Sequence, residues 1–234
     1  MIIAVTGTNT DVGKTVATAA IASVLACRGV DVVAAKPIQT GEPVGEGDAP
    51  TVRRLAGVET FDNWRYPEPL APNLSARRAG IATPPLAEVA EWVRALDRPD
   101  RVVLAEGAGG LLVRLADEYT LADLARELDA PLVVVTSLGL GSLNLAELTC
   151  AQARAQGLQV LGLVGGCLPA ELDLATRLNV EELPVVASAP YIGSLPAGCG
   201  ALSGQRFADA AERALGRGVE ALLADAPAGL DSSA

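Results

Sequence analysis

The residues from the N-terminus to Thr15, MIIAVTGTNTDVGKT, constrain this chain more than any other stretch. Ile2, Ile3, Ala4 and Val5 form a short apolar run, residues 6–13 are rich in turn formers, and Lys14 and Thr15 open a helical pattern over 15–29. A buried strand, a glycine-bounded loop and a helix beginning at Lys-Thr form a cradle for phosphate groups, because loop and helix-start N–H groups point at the anion. In such a cradle Lys14 reaches the β and γ phosphates and the Thr15 hydroxyl faces Mg²⁺. The spacing is a variant: the usual first glycine position holds Thr8, and Gly7 lies one residue earlier.

The rest of the chain supports an α/β fold. Half of its 234 residues are apolar and only 3% aromatic, so Val, Leu, Ile and Ala must build the core. Such residues suit parallel strands buried on both faces. Strands are expected at 31–36, ended by Pro37, and at 101–106, 131–136, 158–164 and 184–187. Helices are expected at 50–55, 85–96, 121–128, 145–156, 170–183 and 205–223, with a loop over 190–204. Residues 57–83, punctuated by Pro67, Pro69 and Pro72, read either as an excursion covering one side of the site or as a surface connection. The alternation of strand and helix predicts a P-loop NTPase fold in one domain over 1–224. It would hold a mostly parallel sheet of about six or seven strands with helices on both faces, followed by a flexible tail at 225–234.

Net charge is −10. A nucleic-acid partner or an anionic membrane surface needs the opposite sign. No leader and no spanning segment is read, which places the protein in the cytoplasm. The four cysteines form no C-x-x-C pair and read as reduced thiols. With no histidine in the chain, His-dependent triads and His-ligated zinc are excluded. Of 18 basic residues, 16 are arginine, and the two lysines are Lys14 and Lys36. A compact ammonium suits a phosphoryl group in transfer better than a rigid guanidinium fork. Lys36 stands at the carboxyl end of the second strand, Asp48 follows in a loop, and Glu106 ends the strand 101–106. Thr15, Asp48 and Glu106 together make a shell of hard oxygens for Mg²⁺.

Four motifs then carry a family resemblance: GTNTDVGKT at 7–15, KPIQTG at 36–41, EGAGGLLV at 106–113 and LGLGSLN at 138–144. In order and spacing they resemble the dethiobiotin synthetases over nearly the whole chain. The resemblance implies ATP-dependent carboxylation and ring closure of 7,8-diaminopelargonic acid with CO₂. The route passes through a carbamate and a carbamic–phosphoric anhydride to dethiobiotin, ADP and phosphate. It implies catalytic roles for Lys14, Lys36, Thr10 and Asp11, and Mg²⁺ on Thr15, Asp48 and Glu106. Nucleotide contacts would come from Asp11, Val12, Gly13, Lys14, Thr15, Val16, Asp48, Glu106, Gly107, Ala108 and Gly109, and on the base side from Gly166, Cys167, Leu195, Pro196 and Ala197. Substrate contacts would come from Lys36, Thr40, Gly109 and Gly110. In a homodimer with the site at the interface, Gly141, Ser142, Leu143 and Asn144 of the second copy would take the substrate carboxylate.

Two positions depart from the family pattern. Leu145 stands where many relatives have histidine, and Gly166-Cys167 where many have an Asn-Asp pair whose asparagine reads adenine. Glycine offers no amide to a base, so other nucleoside triphosphates are expected to serve. A partition- or division-type switch ATPase is the main rival reading. It usually carries an extra lysine where Gly7 and Thr8 stand. A glutamine-dependent ligase of related fold would need a Cys–His amidotransferase domain that this chain lacks.

Overall fold

A computed structural model describes residues 1–224; the tail expected at 225–234 lies outside the described residues. In chain order the elements are β1 (Ile2–Gly7), α1 (Lys14–Cys27), β2 (Asp31–Thr40), α2 (Asp48–Ala56), β3 (Glu59–Tyr66), α3 (Pro72–Ala79) and α4 (Leu86–Arg94). There follow β4 (Arg101–Gly110), α5 (Leu121–Glu127), β5 (Leu132–Thr136), α6 (Ser142–Ala155), β6 (Val160–Leu168), α7 (Leu174–Ala187), β7 (Tyr191–Pro196), a 3₁₀ turn (Cys199–Ala201) and α8 (Gly204–Ala224). The sheet has seven strands in the order β3-β2-β4-β1-β5-β6-β7. Every neighbouring pair is parallel.

Strand alternation divides the core in two. Ile2 and Ala4 of β1, with Val33, Val103 and Leu132, meet helices on one face, including Val89 and Val93 of α4 and Leu121 and Leu124 of α5. Ile3 and Val5, with Val32, Leu104 and Val133, meet Ile21 and Leu25 of α1, Leu55 of α2 and Phe207 of α8 on the other. Helix α1 packs on the sheet with α2 and α8 flanking it, so apolar residues surround it; Ala17, Ala19, Ala20 and Ala22 are fully buried.

The structure departs from or adds to the sequence reading at three places, each decided by pairing or packing with neighbours. Pro37 does not end β2. The ladder to β4 stops at Ala35, so from there the strand is paired only with β3, and an imino nitrogen is tolerated beside a free edge. The uninterpreted stretch contains a true strand, β3, and a helix, α3. As an edge strand with few apolar residues, β3 gave no hydrophobic signal. The run at 184–187 is the last turn of α7, not a strand. Thr176, Asn179, Leu183 and Ala187 are its buried positions, at helical spacing, while Val185 is exposed. The strand comes later, inside the expected loop, as β7. Strands β4 and β6 also run past their apolar stretches into glycines, and Gly110 reaches register with Gly7.

Candidate active site

At the carboxyl ends of β1, β2 and β4, a cavity of about 620 Å³ opens. This is the edge of a parallel sheet at which ligands bind. The loop after β1 reaches it through Asp11 and Gly13, both in left-handed conformation at φ 57 and 95. Gly13 is the cap of α1 and makes no side-chain hydrogen bond to the helix. The first-turn amides of α1 are therefore open to an anion.

The two lysines converge here although neither is accessible as a surface residue. Lys14 is 8% exposed and Lys36 4%. Lys14 Nζ donates to the Asn9 carbonyl at 3.1 Å, folding back over the loop. Burial, and then the nearby Lys36 charge, lower its pKa below the ordinary lysine value. Lys36 Nζ contacts Asp48 Oδ2 at 2.7 Å, Glu106 Oε1 at 3.2 Å and the Gly107 carbonyl at 2.6 Å. Burial opposes its charge, but Glu106 and Asp48 outweigh burial, and its pKa is raised. On the lysine side its stabilising contribution is therefore complete below the ordinary value of 10.5 and is lost as pH climbs through the raised one. Asp48 is half-buried, and Lys36 holds its carboxyl below the usual range. Glu106 is pushed up by burial and by the Asp48 charge, against the pull of Lys36.

Thr15 Oγ1 donates to Asp48 Oδ1 at 2.7 Å and lies 3.0 Å from Glu106 Oε1. Thr18 Oγ1 holds the other Glu106 oxygen at 2.9 Å. The hydroxyl and two carboxylates thus converge on one point with hard oxygens only. This donor set fits Mg²⁺, which takes few protein ligands and shares its shell with phosphates and water.

Of the residues expected at the site, Thr10, Asp11, Gly13, Lys14, Thr15, Val16, Lys36, Thr40, Asp48, Glu106, Ala108 and Gly109 line this cavity. Val12 is buried below the loop, and Gly107 contributes only its carbonyl. Gly110 lines a second cavity of about 350 Å³, with Thr8, Asn9, Leu112, Leu148 and Gln152; Thr10 and Val113 border both. Pro69, Leu70, Ala71 and Pro72 wall the first cavity, so the stretch 57–83 does cover one side of it. Gln39 and Glu42 also reach it without having been singled out.

On the expected base side the placement differs. Gly166 sits directly beneath the phosphate loop: a Cβ there would lie 1.7 Å from the Val12 carbonyl oxygen, and one on Gly13 would lie 2.8 Å from the Gly166 oxygen. The two glycines exist for this backbone contact. Leu195 is a core residue, packed with the α1 and α8 side of the sheet, and turns no side chain to a ligand. Cys167, Pro196 and Ala197 are exposed at the strand ends. Gly200, not foreseen, approaches Val16, a Cβ there lying 3.2 Å from Val16 Cγ2. None of Gly141, Ser142, Leu143 and Asn144 at the start of α6 lines either cavity, although Leu148 further along the helix lines the second. Ser142 is buried, its hydroxyl held by Asn179 at 3.2 Å, so of the four residues expected there it has no free side chain to offer.

A lysine-bearing loop between the central strand and its helix, facing one carboxylate on β4 and one at the start of α2 above an all-parallel sheet, defines a P-loop nucleoside triphosphatase. The fold matches cell division protein FtsY from Thermotoga maritima, with TM-score 0.53 and 16% identity over 95% of this chain and 68% of that one. It also matches the MinC:MinD cell division complex of Aquifex aeolicus, with TM-score 0.51 and 14% identity over 100% and 99%. Residues 2–198 match the family model described as an AAA domain. ATP-dependent dethiobiotin synthetase BioD of Corynebacterium kroppenstedtii is 57% identical over 88% of this chain and 90% of its own. The enzyme of that name from Rhodococcus jostii is 52% identical over 90% and 92%. The chain belongs to the ATP-dependent dethiobiotin synthetase family.

Proposed function

We propose that this chain converts 7,8-diaminopelargonic acid, CO₂ and ATP to dethiobiotin, ADP and phosphate, with the two lysines flanking the transferred group. The observation that carries this reading is the convergence of Lys14, Lys36, Thr15, Asp48 and Glu106 in one cavity of a chain 57% identical to a dethiobiotin synthetase. One substrate amine takes up CO₂ as a carbamate. A carbamate oxygen attacks the γ-phosphorus and the bond to ADP breaks. The second amine then attacks the carbonyl carbon, and phosphate leaves as the cyclic urea closes.

Loop amides of Gly13 and Lys14 and the Lys14 ammonium would hold the triphosphate. Lys36 and Thr40 would hold the carbamate end, with Thr10 and Asp11 beside them and Gly109 and Gly110 along the substrate. Thr15, Asp48 and Glu106 would carry Mg²⁺, which supplies charge neutralisation on the phosphates. An alkyl amine has a pKa of about 10, and only its free base attacks CO₂. A neighbouring cation disfavours the ammonium form. Carbamate formation followed against pH should therefore move to higher apparent pKa in Lys36→Gln; an unmoved profile removes Lys36 from that role.

The second cavity joins the first at Thr10 and Val113 and is walled by Leu111, Leu112 and Leu148. An alkyl chain with its reacting end at Thr10 suits it. Exposed Leu140, Leu148, Leu174 and Leu178 on and beside α6 and α7 are the surface we assign to a second copy of the chain. That copy's α6 start would take the substrate carboxylate through its amides. Asn179 donates to the carbonyls of Leu138 at 3.0 Å and Gly139 at 2.8 Å, and so shapes this turn. Asn179→Leu should raise KM for the diamine about tenfold, leave KM for ATP unmoved and cost about 2 kcal/mol of stability, since buried carbonyls lose their donor. Steady-state kinetics with a thermal melt checks all three.

With no side chain at Gly166 and an exposed Cys167 beside it, these positions offer no side-chain amide to a base edge. We expect kcat/KM for ATP, GTP and CTP to agree within about a hundredfold, roughly 2.7 kcal/mol; a larger preference for ATP refutes this. No helix among the described residues is long and apolar enough to cross a membrane; we assign the enzyme to the cytoplasm. Phosphate release measured with and without the diamine and bicarbonate tests the function. Release should depend on both. Release indifferent to both would favour the switch-ATPase reading.

A further inference from the structure

Asp48 stands at the first position of α2, directly after a loop that has little to hold it. Gly41, Gly45 and Gly47 in that loop all have positive φ, at 77, 90 and 106, and no regular ladder spans residues 42–47. Flexible residues of this kind lose more entropy on ordering than any other. Something outside the loop must fix it if the carboxylate is to be preplaced.

Two residues do so, and they are partners in the sheet: Gln39 of β2 lies in register with Arg65 of β3. Arg65 spreads its guanidinium over the loop's outer turn. Its Nη1 donates to the carbonyls of Pro43 at 2.9 Å and Glu42 at 3.4 Å, and its Nη2 to that of Glu46 at 3.0 Å. Its Nε donates to Asp62 at 2.6 Å, which sets the plane of the fork. Five donors in a rigid plane suit the gathering of several carbonyls at once, which no lysine could do. Gln39, 5% exposed, works at the loop's inner end. Its Oε1 accepts from the Asp48 backbone N–H at 3.0 Å, an amide that begins a helix and has no partner within it. Its Nε2 is anchored on the Thr40 carbonyl at 3.1 Å. A Cβ at position 47 would lie 2.8 Å from Gln39 Oε1, so the side chain and the glycine it packs on fit each other.

We propose that Gln39 and Arg65 are positioning residues that hold the loop so that the Asp48 carboxylate meets Thr15 and Lys36 before metal and nucleotide arrive. The proposal rests on the reading of Asp48 as a Mg²⁺ ligand. Groups that orient a ligand from behind influence metal affinity without touching the metal.

The test compares binding of the non-hydrolysable β,γ-imido analogue of ATP by calorimetry in excess Mg²⁺ and in EDTA. The ratio of the two affinities isolates the metal's contribution. In Arg65→Ala and Gln39→Met this ratio should fall about tenfold, with the EDTA affinity of Arg65→Ala within about twofold of wild type, since Arg65 lines no part of the cavity. Arg65→Lys, which can reach only one carbonyl, should show the same loss and serves should the alanine variant not fold. A ratio that stays at the wild-type value, or equal losses with and without metal, overturns the positioning role. Asp48→Asn separates the two readings. If its ratio collapses while that of Arg65→Ala does not, positioning alone fails. If all variants keep the wild-type ratio, Asp48 is no metal ligand and both readings fail.

Discussion

Lys36→Gln should lower kcat by at least about a hundredfold, the usual loss when one preorganised donor to developing charge is removed. The side chain is 5% exposed and is the cation between the buried Glu106 carboxylate, at 3.2 Å, and the half-buried Asp48 carboxylate, at 2.7 Å. Glutamine is near in length but carries no charge. It leaves Asp48 and Glu106 facing each other with only neutral donors, the glutamine amide, Thr15 and Thr18, and breaking such an ion pair costs up to about 3–5 kcal/mol. Two effects are therefore expected together, and they separate on measurement. The thermal midpoint without ligands should drop. Mg²⁺ should recover much of that drop, because it replaces the missing positive charge, but it should not recover turnover. Lys36→Arg should fare little better in turnover, since a fork needs space that this pocket of carboxylates does not have. A Lys36→Gln enzyme that turned over at a tenth of the wild-type rate or better would remove the lysine from the chemistry.

Gly166→Ala is expected to be as severe, with no charge involved. One methyl group would lie 1.7 Å from the Val12 carbonyl oxygen, far inside van der Waals contact. The neighbour is backbone, so no rotamer change relieves the clash, and overpacking of this kind moves the chain. The part that would move is the loop that places Gly13 and Lys14. A displacement of an ångström in a positioning element costs about a hundredfold, and nucleotide affinity should fall by at least that. Titration with the nucleotide analogue measures it; wild-type affinity in Gly166→Ala would contradict the contact. The same geometry means that asparagine could not be installed here to supply base reading. The loop above would first have to lift.

The sheet, the phosphate loop and the four charged residues at its rim were legible because each leaves a periodic or compositional trace. Apolar runs mark buried parallel strands, and two lysines stand out in a chain of arginines. What was not legible depended on neighbours. Pro37 reads as a strand end, and only the absence of β4 beyond Ala35 makes it harmless. The Pro-Val-Val-Ala run at 184–187 has strand composition, yet the preceding buried residues set a helical face that it continues. Edge strand β3 has polar faces and is defined by pairing with β2, which no local pattern reveals. At the site, Gly166 was read for the side chain it lacks, whereas its meaning lies in the carbonyl that covers it. Leu195 and Ser142 were expected to contact ligands but turn inward, because β7 and the α6 turn each use them for packing. Gln39 was quoted within its motif and Arg65 within an unread stretch. Neither carries chemistry alone, and their partnership exists only in the strand register.

The claim that everything else depends on is that both ammonium groups flank the group being transferred. A crystal structure with Mg²⁺, a non-hydrolysable ATP analogue and diaminopelargonic acid tests it most directly. Lys14 Nζ should lie within about 3 Å of β- or γ-phosphate oxygens, and Lys36 Nζ within the same distance of a γ-phosphate or carbamate oxygen, as charge-assisted bonds require. Lys36 still closed on Asp48, Glu106 and the Gly107 carbonyl, with no ligand oxygen in reach, would contradict the account.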